Sequence, residues 1–332
     1  MVPSVDVSED VAVSVIVPVR NRRDMLRDLL QGLDKQTYRS FEVLIVDDGS
    51  RDGSDDLART SMVAGRPVIA LQSDGEGSLR ARQMGVEHAR GWMLAFTDSD
   101  CVPDPAWLQN GVAALAAGAE MVNGYTRPIR PLKPMERSVA SGTEGLFPTC
   151  NMFYRRDLWD RLGGFDAATT SRWHFRSLSR TRDSAFGEDT LLGWRAIRSG
   201  AVTRYAPDAI VEHQVFPPDL RDFLVRTAKA ASFPAMIKEL PELRTTLMRG
   251  GVFLGDYSRI PPYATAIALG LRRPRAAALT LAWWIGLRVR AMRMSPHPTV
   301  KLLPWVPVEM AADVATAGAL VAGSVRSGAL VL

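Results

Sequence analysis

Asp98 and Asp100 stand one residue apart after the apolar run Trp92-Met93-Leu94-Ala95-Phe96. In an extended chain, residues two apart point to the same side, so the two carboxylates would converge at the strand's C-terminal end. Paired hard oxygen donors suit Mg²⁺ or Mn²⁺, which keep open positions for the oxygens of a diphosphate. Such a pair is weak evidence alone, because acids also cap helices and solvate turns. Three other groups could share its chemistry. Asp47-Asp48-Gly49-Ser50 closes a second apolar run, Glu188-Asp189 opens a helical pattern after Gly187, and His213 lies in a β-rich stretch. Glu188 and Asp189 also have a bland explanation, since acids at a helix N-terminus complement the dipole. A lone strand histidine is likewise often only hydrogen-bonded in place.

The elements that position these groups follow from hydrophobic periodicity. Val11 to Val19 reads as a buried strand ending at Pro18, and Asn21 or Arg22 starts a helix with apolar Met25, Leu26, Leu29, Leu30 and Leu33. Phe41 to Val46 is the next strand, so strand, helix and strand make a βαβ unit and a parallel sheet. Val68 to Leu71 is a third strand; Asp74-Gly75-Glu76-Gly77 turns the chain into a helix over Ser78 to Ala89, and a strand ending at Asp98 follows. Beyond it the pattern predicts a helix Trp107 to Ala117, a strand Glu120 to Tyr125, an irregular proline-rich stretch over 127–134 and an extended Cys150 to Tyr154. A helix over Arg155 to Leu162 stops at Gly163-Gly164. Thr190 to Arg198 is helical, and strands are expected at Thr203 to Tyr205 and Ala209 to Val215. Open sheets of this kind bind ligands beyond the strands' C-terminal ends, where the acids cluster.

Composition narrows the function classes. With 332 residues and 46% apolar content, the chain can bury a full core as one large domain with an appendage, or as two domains. Its two cysteines, Cys101 and Cys150, make no disulfide framework or zinc spacing, and Met1 to Asp10 lacks the order of a secretory signal. A reducing, cytoplasmic location is the expectation. Residues 217–332 hold fifteen Lys/Arg against seven Asp/Glu, net +8, which leaves −3 for the first 216 residues of a chain whose total is +5. This basic third shows no aromatic-interleaved nucleic-acid motif, so nucleic acid is not an expected partner. It carries helical stretches at Leu220 to Ala231 and Ala276 to Met292, then a largely apolar Leu303 to Leu332 interrupted by Glu309, Asp313 and Arg326. No run reaches the roughly 18–20 uninterrupted apolar residues of a membrane span. Arg288, Arg290 and Arg293 beside Trp283 and Trp284 fit a helix lying peripherally on an anionic membrane surface, and equally an ordinary packed appendage.

Several nucleotide signatures are missing. There is no P-loop, and Arg80 stands where the third glycine of a dinucleotide fingerprint belongs. Asp98-Ser99-Asp100-Cys101-Val102 matches the D-x-D-x-[TV] pattern of haloacid-dehalogenase-type phosphatases, where the first Asp is a nucleophile and the second an acid/base. That motif normally sits on the first strand, and here three strands precede it.

Five segments in order carry a more specific resemblance: VSVIVPVRNRRDMLRDLLQGLDKQTYRSFEVLIVDDGSRDGS, GSLRARQMGVEHARG, FTDSDCVPDPAWL, NMFYRRDLWDRLGGFD and GEDTLLGWRAIRSG. Together they resemble the family 2 glycosyltransferases over roughly residues 12–215. The resemblance implies a GT-A fold: an α/β, Rossmann-like, mostly parallel sheet flanked by helices, with a C-terminal helical region outside it. It implies a nucleotide-sugar-binding and catalytic domain over 1–216, leaving 217–332 as a helical basic region. It also implies an inverting, hexosyltransferase-like enzyme that uses Mg²⁺ or Mn²⁺ to move a sugar from a nucleotide diphosphate sugar donor to a hydroxyl acceptor.

Carried over by position, the resemblance gives each acid a role. Pro18, Arg20 and Asn21 would border the nucleotide base, and Asp48 would hydrogen-bond its imide N–H. Arg82 would reach the diphosphate or ribose, Asp98 the ribose or sugar, and Glu188 the substrate. Asp100 would hold the metal, His213 would add a metal or phosphate contact, and Asp189 would be the catalytic base. Some positions depart from the family. Arg20 replaces a common tyrosine, Gln83 and Met84 replace the usual residues after Arg82, and Arg172-Trp173 lacks the Gln of the processive Q-x-x-R-W signature. Single-sugar transfer is therefore expected. The arginine-rich segment before Glu188 suggests Arg172, Arg176, Arg180 or Arg182 as ligands of an acceptor phosphate, or else a solvated loop. The acceptor could be a glycan, a lipid-linked or phosphate-bearing molecule of the cell envelope, or a secondary metabolite. A catalytically silent binding protein on the same fold is the remaining alternative.

Overall fold

A computed structural model describes residues 11–133, 136–143, 145–171, 173, 186–255, 260–293 and 306–332. The chain divides into two compact units. The first takes the described residues of 1–129, 138–168 and 181–215; the second takes those of 130–137, 169–180 and 216–332.

The first unit is built on strands β1 (Val13–Val19), β2 (Phe41–Asp47), β5 (Ile69–Gln72), β6 (Met93–Phe96), β7 (Cys101–Pro103), β8 (Met121–Pro128), β9 (Met152–Arg155) and β10 (Thr203–His213), with β3 (Met62–Val63) and β4 (Arg66–Pro67) as a separate hairpin. The eight-stranded sheet runs β5-β2-β1-β6-β9-β8-β10-β7. β1 pairs in parallel with β2 and β6, β2 with β5, and β8 with β10. β9 runs antiparallel to both β6 and β8, and β7 antiparallel to β10. β1 is buried along its whole length because it lies at the centre with helices on both faces.

Helices α1 (Arg23–Asp34), α2 (Ser54–Thr60) and α4 (Trp107–Ala116) cover one face. There Leu26, Leu29, Leu33, Trp107 and Leu115 pack on Val13, Val15, Val17 and Val19. Helices α3 (Ser78–His88), α5 (Arg156–Leu162) and α7 (Glu188–Arg198) cover the other, where Val86, Trp159 and Leu192 meet Ile16, Leu44 and Phe96. α6 (Ala167–Ser171) is one short turn. The period-2 split of β1 side chains between the two layers is what makes the sheet a sandwich of helices.

Local departures from the sequence pattern have identifiable causes. The two strands expected after α7 are one strand, β10, whose register against β8 shifts between Ala206 and Ile210. A bulge absorbs the polar Pro207-Asp208 pair without ending the strand. β8 extends into the proline-rich stretch as far as Pro128. β7 and α2 have no clear signal, since both are short and supported by tertiary packing.

In the second unit, α8 (Leu220–Lys229), α9 (Phe233–Glu239), α10 (Leu243–Thr246), α11 (Ile260–Gly270), α12 (Pro274–Arg293) and α13 (Val306–Ser327) follow one another, with a small hairpin of β11 (Met248–Arg249) and β12 (Phe253–Leu254). Asp313 on α13 accepts hydrogen bonds from Trp284 Nε1 at 2.8 Å and Arg288 Nε at 2.7 Å on α12. Trp284 and Arg288 therefore face a neighbouring helix, as the packed-appendage alternative for these two residues expects. Among the described residues, α13 is one helix long and apolar enough to cross a membrane by length and composition. Glu309 and Asp313 interrupt its apolar run.

Candidate active site

The loops after β1, β2 and β6 meet the start of α3 at the C-terminal edge of the parallel strands. They enclose a cleft of about 310 Å³ lined by Pro18, Arg20, Asp48, Arg82, Asp98 and Asp100, together with Val19, Arg22, Ser78 and Ser99. Six of the sequence-predicted residues thus share one cavity. A second cleft of about 400 Å³, beside α1 and β7, contains Arg127 and Glu212, which are paired at 2.7 Å. The smaller cleft gathers the sequence-predicted acids and Arg82, so it is the candidate site.

Asp98 and Asp100 lie in a turn beyond β6, which ends at Phe96. The same-face argument for a strand consequently does not apply, and the two acids have different partners. Asp98 Oδ1 lies 2.5 Å from Arg82 Nη2. Asp100 Oδ2 lies 3.0 Å from Arg22 Nη1, and its Oδ1 faces His213 Nε2 at 3.5 Å. Burial and the nearby Asp98 carboxylate raise the Asp100 pKa above the ordinary carboxylate range, against the pull of His213 and Arg22.

His213 offers a specific test of whether a cation fits. Its Nδ1 lies 2.8 Å from the Gln214 carbonyl oxygen and 3.1 Å from Ser138 Oγ. A carbonyl only accepts, so Nδ1 donates to it and Nε2 is left facing Asp100 Oδ1. Nε2 and that carboxylate oxygen can share a positive charge between them, either a proton or a metal ion. Cys101 Sγ lies 4.0 Å from Asp100 Oδ1, and Asp100, Cys101 and His213 form a group whose ligand atoms lie within 4.8 Å of one another. Burial pushes the Cys101 thiol well up, which keeps it neutral. The carboxylate and imidazole remain, a donor set that fits Mn²⁺ or Mg²⁺ completed by phosphate oxygens.

Asp48 is held as a fixed acceptor. Its Oδ1 takes a hydrogen bond from Ser73 Oγ at 2.6 Å, and its Oδ2 takes one from the Gly77 N–H at 3.0 Å. Gly77 has φ +97°, a backbone state open to glycine that turns this N–H inward ahead of α3. Arg20 Nη1 approaches the same oxygen at 3.4 Å. Asn21, at φ +51°, instead ties two loops together: its N–H donates to Ser50 Oγ at 2.9 Å and its Oδ1 accepts from the Arg51 N–H at 2.8 Å.

Gly187, at φ +74°, turns the chain into α7 and sets Glu188 and Asp189 in its first turn. Asp189 Oδ1 accepts from the Thr190 N–H at 2.7 Å, and Oδ2 from the Thr149 N–H at 3.4 Å. Loss of hydration, then the neighbouring Glu188 carboxylate, push the Asp189 pKa up to about 7, partly offset by those N–H groups and by Arg82. Burial works against the charge on Arg82, yet Asp98, Glu188 and Asp189 together hold it more firmly protonated than usual. A single buried guanidinium therefore links the Asp98 turn to the start of α7. Among the described residues the buried Tyr154 hydroxyl has no hydrogen-bond partner, and burial, followed by Asp189, raises its pKa.

Arg172, Arg176, Arg180 and Arg182 lie outside the described residues. Sequence reasoning missed Arg22, Ser78 and Ser99 as cleft residues. Arg22 had a readable signal, for it immediately follows the predicted Pro18 to Asn21 loop and precedes α1. Ser78 and Ser99 had none.

Known proteins resolve the family. The sequence profile of Glycosyl transferase family 2 matches residues 14–181, just over half of the chain. The chain belongs to this family. A second profile, Glycosyl transferase family group 2, matches residues 132–285. Glycosyltransferase AglE of Haloferax volcanii is 30% identical over 189 residues, 52% of this chain and 62% of its own length. The pre-mycofactocin glycosyltransferase of Mycobacterium tuberculosis is 27% identical over 304 residues, 85% of this chain and 58% of its own length. The chain thus spans about three fifths of the length of these relatives. Among solved structures, the mannosyltransferase PcManGT from Pyrobaculum calidifontis, in complex with GDP-Man and Mn²⁺, superposes with a TM-score of 0.56 at 19% identity, covering 97% of this chain and 88% of that one. TarS 1-349 of S. aureus in complex with UDP-GlcNAc gives a TM-score of 0.50 at 16% identity, covering 96% and 92%. These likenesses establish the GT-A fold of the family. Membership also answers the phosphatase reading of Asp98 and Asp100.

Proposed function

We propose that this chain is an inverting, metal-dependent glycosyltransferase that moves one sugar from a nucleotide diphosphate sugar to a hydroxyl acceptor. The observation that carries the reading is Asp189. It is a carboxylate whose pKa is raised to about 7, linked through Arg82 to the Asp98–Asp100 cleft. An acceptor hydroxyl is a weak nucleophile, and a base with a pKa near neutrality can take its proton as the new bond forms. Attack from the face opposite the leaving diphosphate inverts the anomeric centre.

The other cleft residues divide the remaining work. Asp48, held rigidly by Ser73 and Gly77, directs its carboxylate at a donor N–H of the base, with Pro18 and Arg20 beside it. Asp98 faces the ribose or sugar and orients Arg82. Asp100 and His213 would hold Mn²⁺ or Mg²⁺, which when bound neutralises charge on the leaving diphosphate. Complexes of PcManGT with GDP-Man and Mn²⁺ and of TarS with UDP-GlcNAc support a nucleotide-sugar donor.

The acceptor side is read from the second unit. Residues 257–308 contain seven arginines, one lysine and no acid. Leu269, Leu271 and Leu279, on and between α11 and α12, are 62%, 67% and 74% exposed around Arg272, Arg273 and Arg275. Exposed leucines among unopposed cations suit the cytoplasmic face of an anionic membrane, and with it a lipid-linked acceptor. The membrane-facing group is then this helical hairpin rather than Trp284 and Arg288.

One experiment tests the chemistry. The protein is incubated with Mn²⁺ and a panel of nucleotide diphosphate sugars, and nucleotide release and the anomeric configuration of the product are followed. Release that is insensitive to chelation, or a product of retained configuration, would refute the proposal. Binding without any turnover would favour a silent binding protein. Sedimentation with anionic liposomes, lost on replacing Leu269 and Leu271 with Glu, checks the membrane reading.

A further inference from the structure

Arg22 shares the cleft with the acids to which roles have been given, yet none of those roles uses it. Its backbone is anchored at the start of α1, where its N–H donates to Ser54 Oγ at 3.3 Å. Its side chain is 30% exposed and reaches across to Asp100, placing Nη1 3.0 Å from Oδ2. The other oxygen of Asp100 faces His213 at 3.5 Å. Asp100 therefore already has a cationic partner on the oxygen that His213 does not face.

A divalent ion bound by Asp100 and His213 would stand within a few ångströms of the Arg22 guanidinium. Two cations sharing one carboxylate in a partly buried site repel each other strongly. The guanidinium has another anion to turn to, because the donor's diphosphate must enter the same cleft. A planar guanidinium can bind two phosphate oxygens at once, which an ammonium cannot match.

We propose that Arg22 is a tethered cation that holds Asp100 before a metal ion arrives and transfers to the donor's diphosphate once the metal takes Asp100. The inference rests on the reading of Asp100 as a metal ligand. It makes the metal and the nucleotide binding-coupled through one side chain. Each provides what the other needs from Arg22, and by linkage each tightens the other by the same factor. A residue that only stabilised the loop would leave this coupling unchanged.

The test measures Mn²⁺ binding by calorimetry or electron paramagnetic resonance, alone and with UDP or GDP, for the wild type, Arg22→Gln and Arg22→Lys. Arg22→Gln is expected to bind Mn²⁺ alone about fivefold more tightly, since an ion pair is no longer displaced. At saturating Mn²⁺ it is expected to bind the nucleoside diphosphate about tenfold more weakly, through loss of a charge-assisted contact. Arg22→Lys keeps the charge and should bind Mn²⁺ as the wild type does, while its nucleotide affinity falls. Unchanged or weaker Mn²⁺ binding by Arg22→Gln would overturn the proposal, as would unchanged nucleotide affinity. Asp100→Ala is the control. If it binds Mn²⁺ like the wild type, the metal reading itself has failed; if it loses Mn²⁺ while Arg22→Gln does not differ from wild type, only the exchange has failed.

Discussion

The two ends of the same parallel strands use buried polar groups in opposite ways. At the N-terminal end, Glu42 on β2 is fully matched. Its Oε1 accepts from Ser14 Oγ and the Arg90 N–H, both at 2.7 Å, and its Oε2 accepts from Arg90 Nε at 2.7 Å. Ser14 Oγ in turn accepts from the Gly91 N–H at 2.8 Å. At the C-terminal end, Asp47 Oδ2, Arg82 Nε and Thr97 Oγ1 are buried without a hydrogen-bond partner among the described residues. A closed network stabilises the fold, whereas unmatched buried groups cost stability that a ligand can recover. Both ends are rich in polar residues, and only the completeness of their bonding tells structure from site.

That contrast can be broken by substitution. The largest effect is expected at Asp189, where Asp189→Asn should lower transfer by about 10²–10⁴-fold while nucleoside diphosphate binding persists. Full transfer by this variant would remove the base assignment. The same group sets a pH dependence. With a pKa near 7 in the folded protein, Asp189 is a competent base only above that value, so kcat/KM should fall as pH drops through about 7. The sign for stability is the reverse. A raised carboxyl pKa means the folded state binds the proton more tightly than the unfolded state does. Stability should therefore decline as pH rises from the ordinary carboxylate range to about 7, and Asp189→Asn should flatten that decline in thermal melts.

Asp100→Ala comes next, with a loss of about 10²–10³ in transfer and loss of Mn²⁺-dependent donor binding. Equal activity with and without Mn²⁺ in the wild type would contradict this. At the other end of the sheet, Glu42→Ala should cost about 1–3 kcal/mol in denaturant unfolding, because it strands the donors of Ser14 and Arg90. Its kcat should stay at the wild-type value, and a catalytic defect in folded Glu42→Ala protein would erase the distinction between the two ends. The smallest effect is expected for Thr97→Val, which removes an unmatched hydroxyl at nearly constant volume. Its stability should stay within about 1 kcal/mol of wild type, on the stabilising side.

Much of the first unit was legible before any coordinates. The apolar run Val13–Val19 and the spacing of Leu26, Leu29, Leu30 and Leu33 define β1 and α1 because burial on two faces and on one stripe leave different periodicities. Asp48, Arg82, Asp98 and Asp100 were readable from ordered motifs, and they line one cleft. β7 and the continuous β10 were less legible. A three-residue strand and a bulged one depend on pairing partners distant in sequence, to which local propensity is blind. The two readings of Arg288 could not be separated by sequence because its partner, Asp313, lies twenty-five residues away on another helix.

The sequence by itself determined the kind of chemistry: carboxylates after two strands, a further acid pair opening a helix, and the ordered motifs of a nucleotide-sugar family. Side-chain type and local spacing are written directly into the chain, so these needed no packing. Tertiary structure decided how the acids are used. It placed Asp98 against Arg82 and Asp100 between Arg22 and His213, and it raised Asp189 by removing water and adding Glu188. Those properties depend on distances between residues far apart in sequence and on the solvent they exclude, and both arise only when the chain closes on itself.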